Sequence, residues 1–525
     1  MKTVSFGRQG LHAAFCGLLM AALALSLAPA AARGQVRSEA AAFGQAPPEW
    51  EQNRRSWPSH NYDLANTRAT TNTAINSRNV SRLNVKWRFP LGPTTHFFGP
   101  FASTPIVVDR VVYLQDLNSN VFALDRENGN VKWRRVLDSR SAGPNGVAYG
   151  WGMLFGVTAT DAFALDARTG ATIWSRPLVR SDGEGISIAP QLYDNTVVVS
   201  TVPVNATRAY TGGAMGIVWA LDARTGEPRW QFNTVKDGDL WGHPEINSGG
   251  GLWYPPAVDK QGRIFLAVAN PAPFSGTPEF PNGSSRPGPN LYTNSLVALD
   301  GKTGDLLWYQ QALPHDLRDY DLQGSPIIAH TAIGGSTTEI VVVAGKMGKV
   351  YAYRADDGAA LWEGSVGKHE NDIGPLPDQP VTVFPGLFGG VLTPMALADG
   401  RLFVPWLDAG SAMTATSFPG FPNLAQGRGG LTALDLGTGQ VIWERPLPQM
   451  AMGAATVAND VVFTSTYDGT AYALDVASGQ TLWTATARAG INSFPAIDGN
   501  SLLIGFSARG FFQQPVYELV AYALD

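Results

Sequence analysis

Two aspartates, Asp319 and Asp321, are separated by a single residue in the segment 314–321, which reads Pro-His-Asp-Leu-Arg-Asp-Tyr-Asp. Alternate residues of an extended segment share one face, so both carboxylates can point to the same side. A carboxylate can act as a general base, and carboxylate oxygens are also the ligands that hard cations prefer. The alternative interpretation of this pair is a solvated acidic turn.

Three other side chains have types suited to a site. Asn270 precedes a proline, and its amide oxygen is an uncharged donor for a hard cation; the alternative is a turn that ends a strand. Lys346 lies between glycines and can stabilise negative charge, or it is a plain hairpin lysine. Trp253 follows three glycines and offers a stacking surface for a planar group, or it is one more structural tryptophan.

The elements that must position these residues are indicated by a repeat: Ala-Leu-Asp, three residues, glycine, three residues, tryptophan. Apolar alternation leading into Ala-Leu predicts a strand, and the aspartate and glycine favour a tight turn. The tryptophan then falls on the next strand, where its ring can pack against a neighbouring unit. Such a repeat is typical of a β-propeller with one four-stranded blade per copy. Trp253 falls outside this register. The copies span Ala123–Trp133, Ala164–Trp174, Ala220–Trp230, Ala298–Trp308, a degenerate Ala352–Trp362, Ala433–Trp443 and Ala473–Trp483.

The two ends of the chain predict how the ring closes. The sequence stops at Ala523-Leu524-Asp525, half a copy, and a matching tryptophan strand surrounds Trp87. Pairing these strands removes open sheet edges. We therefore predict an all-β fold over 57–525, a single eight-bladed β-propeller of four-stranded antiparallel blades, with N- and C-terminal strands sharing one blade. Long insertions are expected at 271–294, 364–390 and 408–428, where function commonly resides.

The N-terminus has the composition of a secretory signal peptide. Lys2 and Arg8 precede a short Ala- and Leu-rich stretch, and small residues follow, so we predict a signal peptide over 1–34 and a flexible lead-in over 35–56. The alternative, a membrane anchor, is weaker because the stretch is short. Cys16 is the only cysteine and would leave with the peptide. The net charge of −5 has no basic run, which argues against nucleic acid as a partner.

With these motifs in view, the chain resembles the quinoprotein alcohol dehydrogenases, which bind pyrroloquinoline quinone (PQQ). The repeat is similar to the tryptophan-docking motif of that family, and the resemblance begins at Trp57-Pro58 and covers nearly the whole predicted propeller. Non-catalytic propellers of envelope assembly share the repeat, so the repeat alone indicates only the fold.

The resemblance implies roles for individual residues. Trp253 would lie beneath the quinone, Lys346 would bond its oxygens, and Ser187 would contact the cofactor. Arg208 is a further candidate for a quinone carboxylate. Asp319 would be the catalytic base, taking the hydroxyl proton of the substrate. A Ca²⁺ or lanthanide ion would be held by Asn270, Asp319 and Asp321, the last matching the extra ligand of lanthanide-dependent members.

The sequence departs from the family pattern at three points. The region 139–146 lacks the adjacent cysteines of the family, and Asn145 stands where a quinone-binding arginine would be expected. The stretch 200–215 contains no carboxylate, although the family supplies a metal-binding glutamate there. A bound metal would therefore have one ligand fewer.

Two functions follow as hypotheses. The first is PQQ- and metal-dependent oxidation of a small-molecule or polymeric alcohol, with electrons passed to a separate cytochrome c-type acceptor, because the chain has no haem-attachment motif. The second is a non-catalytic propeller that binds a ligand or a protein in the cell envelope. A periplasmic or secreted location without a stable membrane anchor is expected for both. If the first holds, Asn270, Asp319, Asp321 and Lys346 should converge beside the ring of Trp253.

Overall fold

The repeat copies form eight blades of antiparallel strands around a central channel, which confirms the predicted eight-bladed, all-β propeller. The computed structural model describes residues 44–94, 96, 98–141, 143–204, 212–418 and 422–525. These residues belong to one compact unit, Ala42–Asp525. The predicted signal peptide and Arg208 lie outside the described residues.

Blades 1 to 4 each run from an inner to an outer strand. Blade 1 comprises Ile106–Val108, Val111–Gln115, Val121–Asp125 and Val131–Arg135. Blade 2 comprises Ala148–Gly150, Met153–Val157, Asp161–Asp166 and Thr172–Pro177. Blade 3 comprises Gln191–Tyr193, Thr196–Pro203, Ile217–Asp222 and Pro228–Asn233, with Glu184–Ile186 as an added strand. Blade 4 comprises Ala257–Val258, Arg263–Ala267, Ser295–Asp300 and Leu306–Gln311.

Blades 5 to 8 repeat this order. Blade 5 comprises Ile327–Ile333, Ser336–Ala344, Lys349–Arg354 and Ala360–Ser365. Blade 6 comprises Ala396–Ala398, Arg401–Asp408, Arg428–Asp435 and Val441–Leu447. Blade 7 comprises Thr456–Ala458, Val461–Ser465, Thr470–Asp475 and Thr481–Thr486. Blade 8 comprises Ala496–Asp498, Ser501–Phe506, Glu518–Ala523 and Asn84–Pro90.

The remaining elements are short. Ala69–Thr70 adds a parallel strand to the inner strand of blade 7. Two small sheets pair Ser248–Gly249 with Pro271–Ala272 and Val381–Val383 with Ser411–Met413. Single turns of 3-10 helix occur at Val80–Arg82, Lys236–Gly238, Leu240–Gly242 and Leu424–Gln426. In the part of the chain described, no helix is long and apolar enough to span a membrane.

The repeated tryptophan joins each blade to the next. Trp133 Nε1 of blade 1 donates to the Ala167 carbonyl of blade 2 at 3.1 Å, and its ring covers Gly170. A methyl group at Gly170 would lie 2.6 Å from Trp133 Cε3, and its φ of +72° also favours glycine. The motif therefore specifies both the turn and the contact between blades. Equivalent bonds join Trp87 to Arg126, Trp174 to Ala223, Trp230 to Gly301, Trp308 to Ala355, Trp362 to Leu436 and Trp443 to Val476.

The predicted closure is present in blade 8. Asn84–Pro90 pairs antiparallel with Glu518–Ala523, and Trp87 lies opposite Ala521. Both flanks of this blade are covered, because Trp87 also bonds to blade 1 and Trp483 of blade 7 packs edge-on against Tyr522.

The segment 57–70 crosses the channel and bonds to the inner strands of six blades. Arg68 is fully buried there, and its guanidinium donates to backbone carbonyls of His60, Ala455 and Pro495. Such a buried cation is tolerated because its donors are satisfied. The channel is thus closed at this level by the chain itself. Backbone bonds from the segment reach Val107, Tyr149, Val258, Ile328, Leu397 and Val457.

Part of the predicted flexible lead-in differs from that expectation. Pro48–Gln52 forms a short helix, and the indole of Trp50 is buried, with Nε1 donating to the Tyr149 carbonyl of blade 2 at 2.6 Å. An apolar ring in this low-complexity segment gains more free energy by burial against a blade than by exposure.

Candidate active site

A cavity of about 590 Å³ lies on the propeller axis. Its lining comes from the whole ring, with contributions from the segments next to all eight blades. The segment 57–70 closes the channel beneath it, where the ring of His60 packs against Tyr254, a residue of the cavity wall. A volume of this size is in the range of small-molecule sites. Representative lining residues are Ala102, Ser141, Pro203, Ala269, Lys346, Thr393, Met452 and Asn492.

Five of the seven predicted site residues line this one cavity. Loops at blades 3 to 5 bring them together. Trp253 precedes the inner strand of blade 4, and Asn270 follows its second strand. Asp319 and Asp321 precede the inner strand of blade 5, and Lys346 follows its second strand.

Lys346 lies between the two aspartates. Its Nζ forms a short ion pair with Asp319 Oδ2 and lies 3.2 Å from Asp321 Oδ2. Asp321 Oδ1 accepts a hydrogen bond from the backbone N–H of Asn270 at 2.9 Å. Burial raises the pKa of Asp319 to about 8, although Lys346 acts in the opposite direction. A carboxylate with this pKa can accept and release a proton near neutral pH.

Asp316, which the sequence analysis assigned no role, fixes the backbone on both sides of Asp319. Its carboxylate accepts from the N–H groups of Arg318 at 2.8 Å and Tyr320 at 2.6 Å. Asp319 itself has a φ of +64°, a left-handed conformation that costs a non-glycine residue about 1–2 kcal/mol. Burial raises the pKa of Asp316, and the two N–H bonds act against that rise. The aspartate therefore maintains the turn that aims Asp319 into the cavity.

Two buried arginines tie this turn to the long insertions. The Arg286 guanidinium donates to the Asp316 carbonyl and, at 3.0 Å, to the Pro273 and Phe274 carbonyls. The Arg318 guanidinium donates to the Asn371 carbonyl at 2.9 Å and to neighbouring carbonyls of the same loop. Burial lowers the pKa of Arg286 to about 10. The insertions 271–294 and 364–390 are thereby anchored to the segment 314–321.

Ser187 lies behind the cavity wall instead of on its surface. Its Oγ accepts from the Gly143 N–H at 2.7 Å and contacts Ser141 Oγ at 3.0 Å. A methyl group at Gly143 would lie 3.2 Å from Trp253 Cζ3 and 3.3 Å from Ser187 Oγ. Ser187 therefore supports the loop that borders Trp253. Asn145, the residue at the arginine position of the family, is buried and donates to the Asp116 carbonyl at 2.8 Å.

The cavity suits a flat, anionic cofactor. Trp253 supplies an aromatic wall, and its Nε1 is a buried donor with no hydrogen-bond partner among the described residues. Thr393 Oγ1, also in the cavity wall, is likewise buried without a hydrogen-bond partner among the described residues. Buried donors normally find acceptors, so these two atoms are suited to a polar ligand. Arg140 adds a positive charge to the lining, where Lys346 is already paired with the two aspartates.

Three side chains of the cavity carry the oxygen atoms that a hard cation prefers as ligands. Asp319 and Asp321 offer carboxylates, and Asn270 Oδ1 is available because its Nδ2 donates to the Pro271 carbonyl at 3.1 Å. The described residues contain no group of three or more His, Cys, Asp or Glu side chains able to hold a metal. Since Ca²⁺ takes six to eight oxygens, the other ligands would come from cofactor and water.

Sequence reasoning missed the residues that shape the cavity mouth. Phe98, Phe274, Phe388 and Phe418 come from four separate loops and all line the cavity. Phenylalanines in loops carry no motif. Phe274, Phe388 and Phe418 lie in the predicted insertions, whereas Phe98 lies in none of them. Asp316 had a signal, because it precedes Asp319 by three residues within the quoted segment.

The family is shown by comparison with family models. A model described as the β-propeller domain of glucose/ethanol/alcohol dehydrogenases matches residues 57–153 and 179–368, more than half of the chain. A second model, described as outer membrane protein assembly factor BamB, matches residues 387–515. Asp319, Asp321 and Lys346, which together form the acidic cluster, lie within the first match.

Individual proteins agree with this result. The chain is 27% identical to a quinohemoprotein alcohol dehydrogenase of Comamonas testosteroni, over 89% of this chain and 74% of the relative. It is also 27% identical to the putative dehydrogenase XoxF of Paracoccus denitrificans, over 83% of each.

Solved structures show the same fold. A europium-containing methanol dehydrogenase superposes with a TM-score of 0.75 at 21% identity, covering 90% of this chain and 99% of the other. The BamB of Moraxella catarrhalis gives 0.50 at 15% identity, covering 84% of this chain and 97% of the other. The resemblance drawn from the repeat and the site motifs is confirmed, and the chain belongs to the β-propeller family of glucose, ethanol and alcohol dehydrogenases.

Proposed function

We propose that this protein oxidises an alcohol with PQQ, with Asp319 as the base and a Ca²⁺ or lanthanide ion held beside it. The observation that carries the proposal is the convergence of Asp319, Asp321 and Lys346 with Asn270 and Trp253 in one buried cavity. A purely structural propeller has no use for two buried carboxylates at the end of its channel, because their burial costs free energy.

The chain's own residues have distinct tasks in this scheme. Asp319 receives the hydroxyl proton of the substrate in its ionised form, which burial makes a stronger base by raising its pKa. Lys346 balances the negative charge of the two carboxylates and can bond to an oxygen that gains charge during the reaction. Asn270 and Asp321 would hold the cation with Asp319, and Trp253 would orient a flat ring system against its face.

When bound, PQQ supplies a two-electron acceptor that takes up a hydride. A primary alcohol would thus lose its hydroxyl proton to Asp319 and a hydride, which carries both electrons, to the cofactor, and would become an aldehyde. We propose that a separate cytochrome c-type protein then takes the electrons, and that the protein works in the periplasm or outside the cell. Ser187 would act indirectly through Gly143. Arg208 remains a candidate for a quinone carboxylate.

Reconstitution tests the proposal. The purified chain is incubated with PQQ and either Ca²⁺ or La³⁺, and reduction of a dye is followed with a panel of alcohols. We expect cation-dependent PQQ binding and dye reduction by the unsubstituted chain. Asp319→Ala should abolish turnover, whereas Asp378→Ala, at an exposed carboxylate of the insertion 364–390, should not change it. If PQQ binds with neither ion, the proposal fails and the non-catalytic alternative gains support.

A further inference from the structure

We infer that the substrate is a small alcohol with an aromatic or similarly bulky apolar body, because phenylalanine rings meet across the mouth of the cavity. This inference rests on the proposed function and names the substrate class of the same site. Phe98 and Phe388 pack edge to face with ring centroids 6.3 Å apart. Phe274 and Phe418 form a second pair at 5.1 Å.

The topology places the first pair across the channel. Phe98 lies in the loop that enters blade 1, and Phe388 lies in the loop that enters blade 6. These blades are three positions apart in a ring of eight, so the two rings come from well-separated parts of the rim. The second pair joins the insertion of blade 4 to the insertion of blade 6. The four rings therefore reach the cavity from loops at several positions around the propeller.

The cavity lining contains both a charged cluster and a set of apolar side chains. The charged side chains Asp319, Asp321 and Lys346 belong to the acidic cluster. Leu387, Leu392 and Met452 join the four phenylalanines in the lining. A substrate that fits this lining has one hydroxyl group directed to Asp319 and an apolar remainder against the rings.

Ring geometry favours an aromatic body in particular. Phe98 and Phe388 are both partly buried, and both line the cavity. Edge-to-face contacts between aromatic rings are favourable beyond simple burial. A polymeric alcohol is a poorer fit, since the cavity of about 590 Å³ has the volume of a small-molecule site.

The anchoring of the mouth supports a defined pocket. Tyr320, next to Asp319, donates from its hydroxyl to the Pro385 carbonyl at 2.7 Å, three residues before Phe388. Arg286 bonds the Phe274 carbonyl at 3.0 Å. The loops that carry Phe274 and Phe388 are thus tied to the turn that contains Asp319.

The test compares substrates on the reconstituted full-length protein. We expect benzyl alcohol to exceed ethanol in kcat/KM by at least tenfold. Phe388→Ala should lower kcat/KM for benzyl alcohol about tenfold and lower kcat/KM for ethanol by a clearly smaller factor. Ile373→Ala is the matched control, because this side chain is 83% exposed on the same segment and does not line the cavity. Phe98→Leu, a milder change, should reproduce the direction of the effect.

The inference is overturned if ethanol is the better substrate, if poly(vinyl alcohol) is preferred, or if Phe388→Ala lowers both substrates equally. If no alcohol is oxidised, the proposed function fails, and calorimetry of benzyl alcohol with the full-length protein decides the inference separately. Saturable binding that Phe388→Ala weakens and Ile373→Ala leaves unchanged supports an aromatic-binding mouth. Absence of binding, or equal binding by all variants, refutes it.

Discussion

Replacing Asp316 by asparagine should misplace Asp319 without changing the size of the side chain. The Asp316 carboxylate accepts two backbone N–H groups, at 2.8 Å from Arg318 and 2.6 Å from Tyr320. Asparagine retains one acceptor oxygen and turns an NH₂ group towards the other N–H. Hydrogen bonds to charged groups contribute about 1.5–3 kcal/mol each, so one lost bond costs about 2 kcal/mol.

The hydrogen bonds of Asp316 help to hold Asp319 in its left-handed conformation. Losing one of them should therefore lower kcat. If all of the lost free energy serves to position Asp319, kcat falls about 30-fold, because each 1.36 kcal/mol corresponds to about tenfold. KM should change little, since Asp316 does not line the cavity. Tb³⁺ affinity, followed by luminescence, should fall in parallel through the displaced Asp319 and Asp321.

Asp378→Asn is the control, because it removes an exposed carboxylate of the neighbouring insertion. Its kcat, Tb³⁺ affinity and urea midpoint should match those of the unsubstituted chain. The reasoning is refuted if Asp316→Asn retains kcat and Tb³⁺ affinity within twofold. A lower urea midpoint with both retained would make Asp316 a residue of stability alone.

Three further outcomes are expected. Gly170→Ala should destabilise the chain by about 1–3 kcal/mol more than Gly152→Ala in urea unfolding; both positions have nearly equal positive φ, and only Gly170 lies against Trp133. Equal losses would contradict the docking contact. Because the pKa of Asp319 is raised to about 8, Ca²⁺ binding below that pH must displace a proton. The Ca²⁺ affinity, measured by calorimetry, should therefore rise about tenfold per pH unit up to about pH 8. An affinity that does not change with pH would count against Asp319 as a ligand. The same raised pKa means that ionisation of Asp319 destabilises the folded state. The unsubstituted chain should therefore lose stability relative to Asp319→Asn as pH rises from about 4 to about 8. A difference in urea midpoint between the two chains that stays constant across that range would disprove this.

The propeller could be predicted from the sequence because its signals are local. Each Ala-Leu-Asp turn and its tryptophan lie within eleven residues, and Trp133 with Gly170 shows that one motif specifies both the turn and the docking to the next blade. The match of Trp87 to the half copy at the C-terminus predicted a pairing across nearly the whole chain, which the strand register confirms.

The site was predicted only where its residues follow motifs. Asp319, Asp321, Asn270, Lys346 and Trp253 could be named, because each stands in a short segment that resembles the family. The ion pair of Lys346 with both aspartates was not predicted, since it depends on two segments that meet only when the first two strands of blade 5 pair.

By itself, the sequence determined the number of blades, the way the ring closes and the identity of the acidic cluster. Tertiary structure decided what surrounds that cluster. The phenylalanines of the mouth come from loops at blades 1, 4 and 6. Arg286 reaches the Asp316 carbonyl from the insertion 271–294. Loop conformations depend on contacts between distant segments, whereas the turns of the repeat depend on adjacent residues. This difference in range is the physical reason why the scaffold could be deduced and the pocket had to be observed.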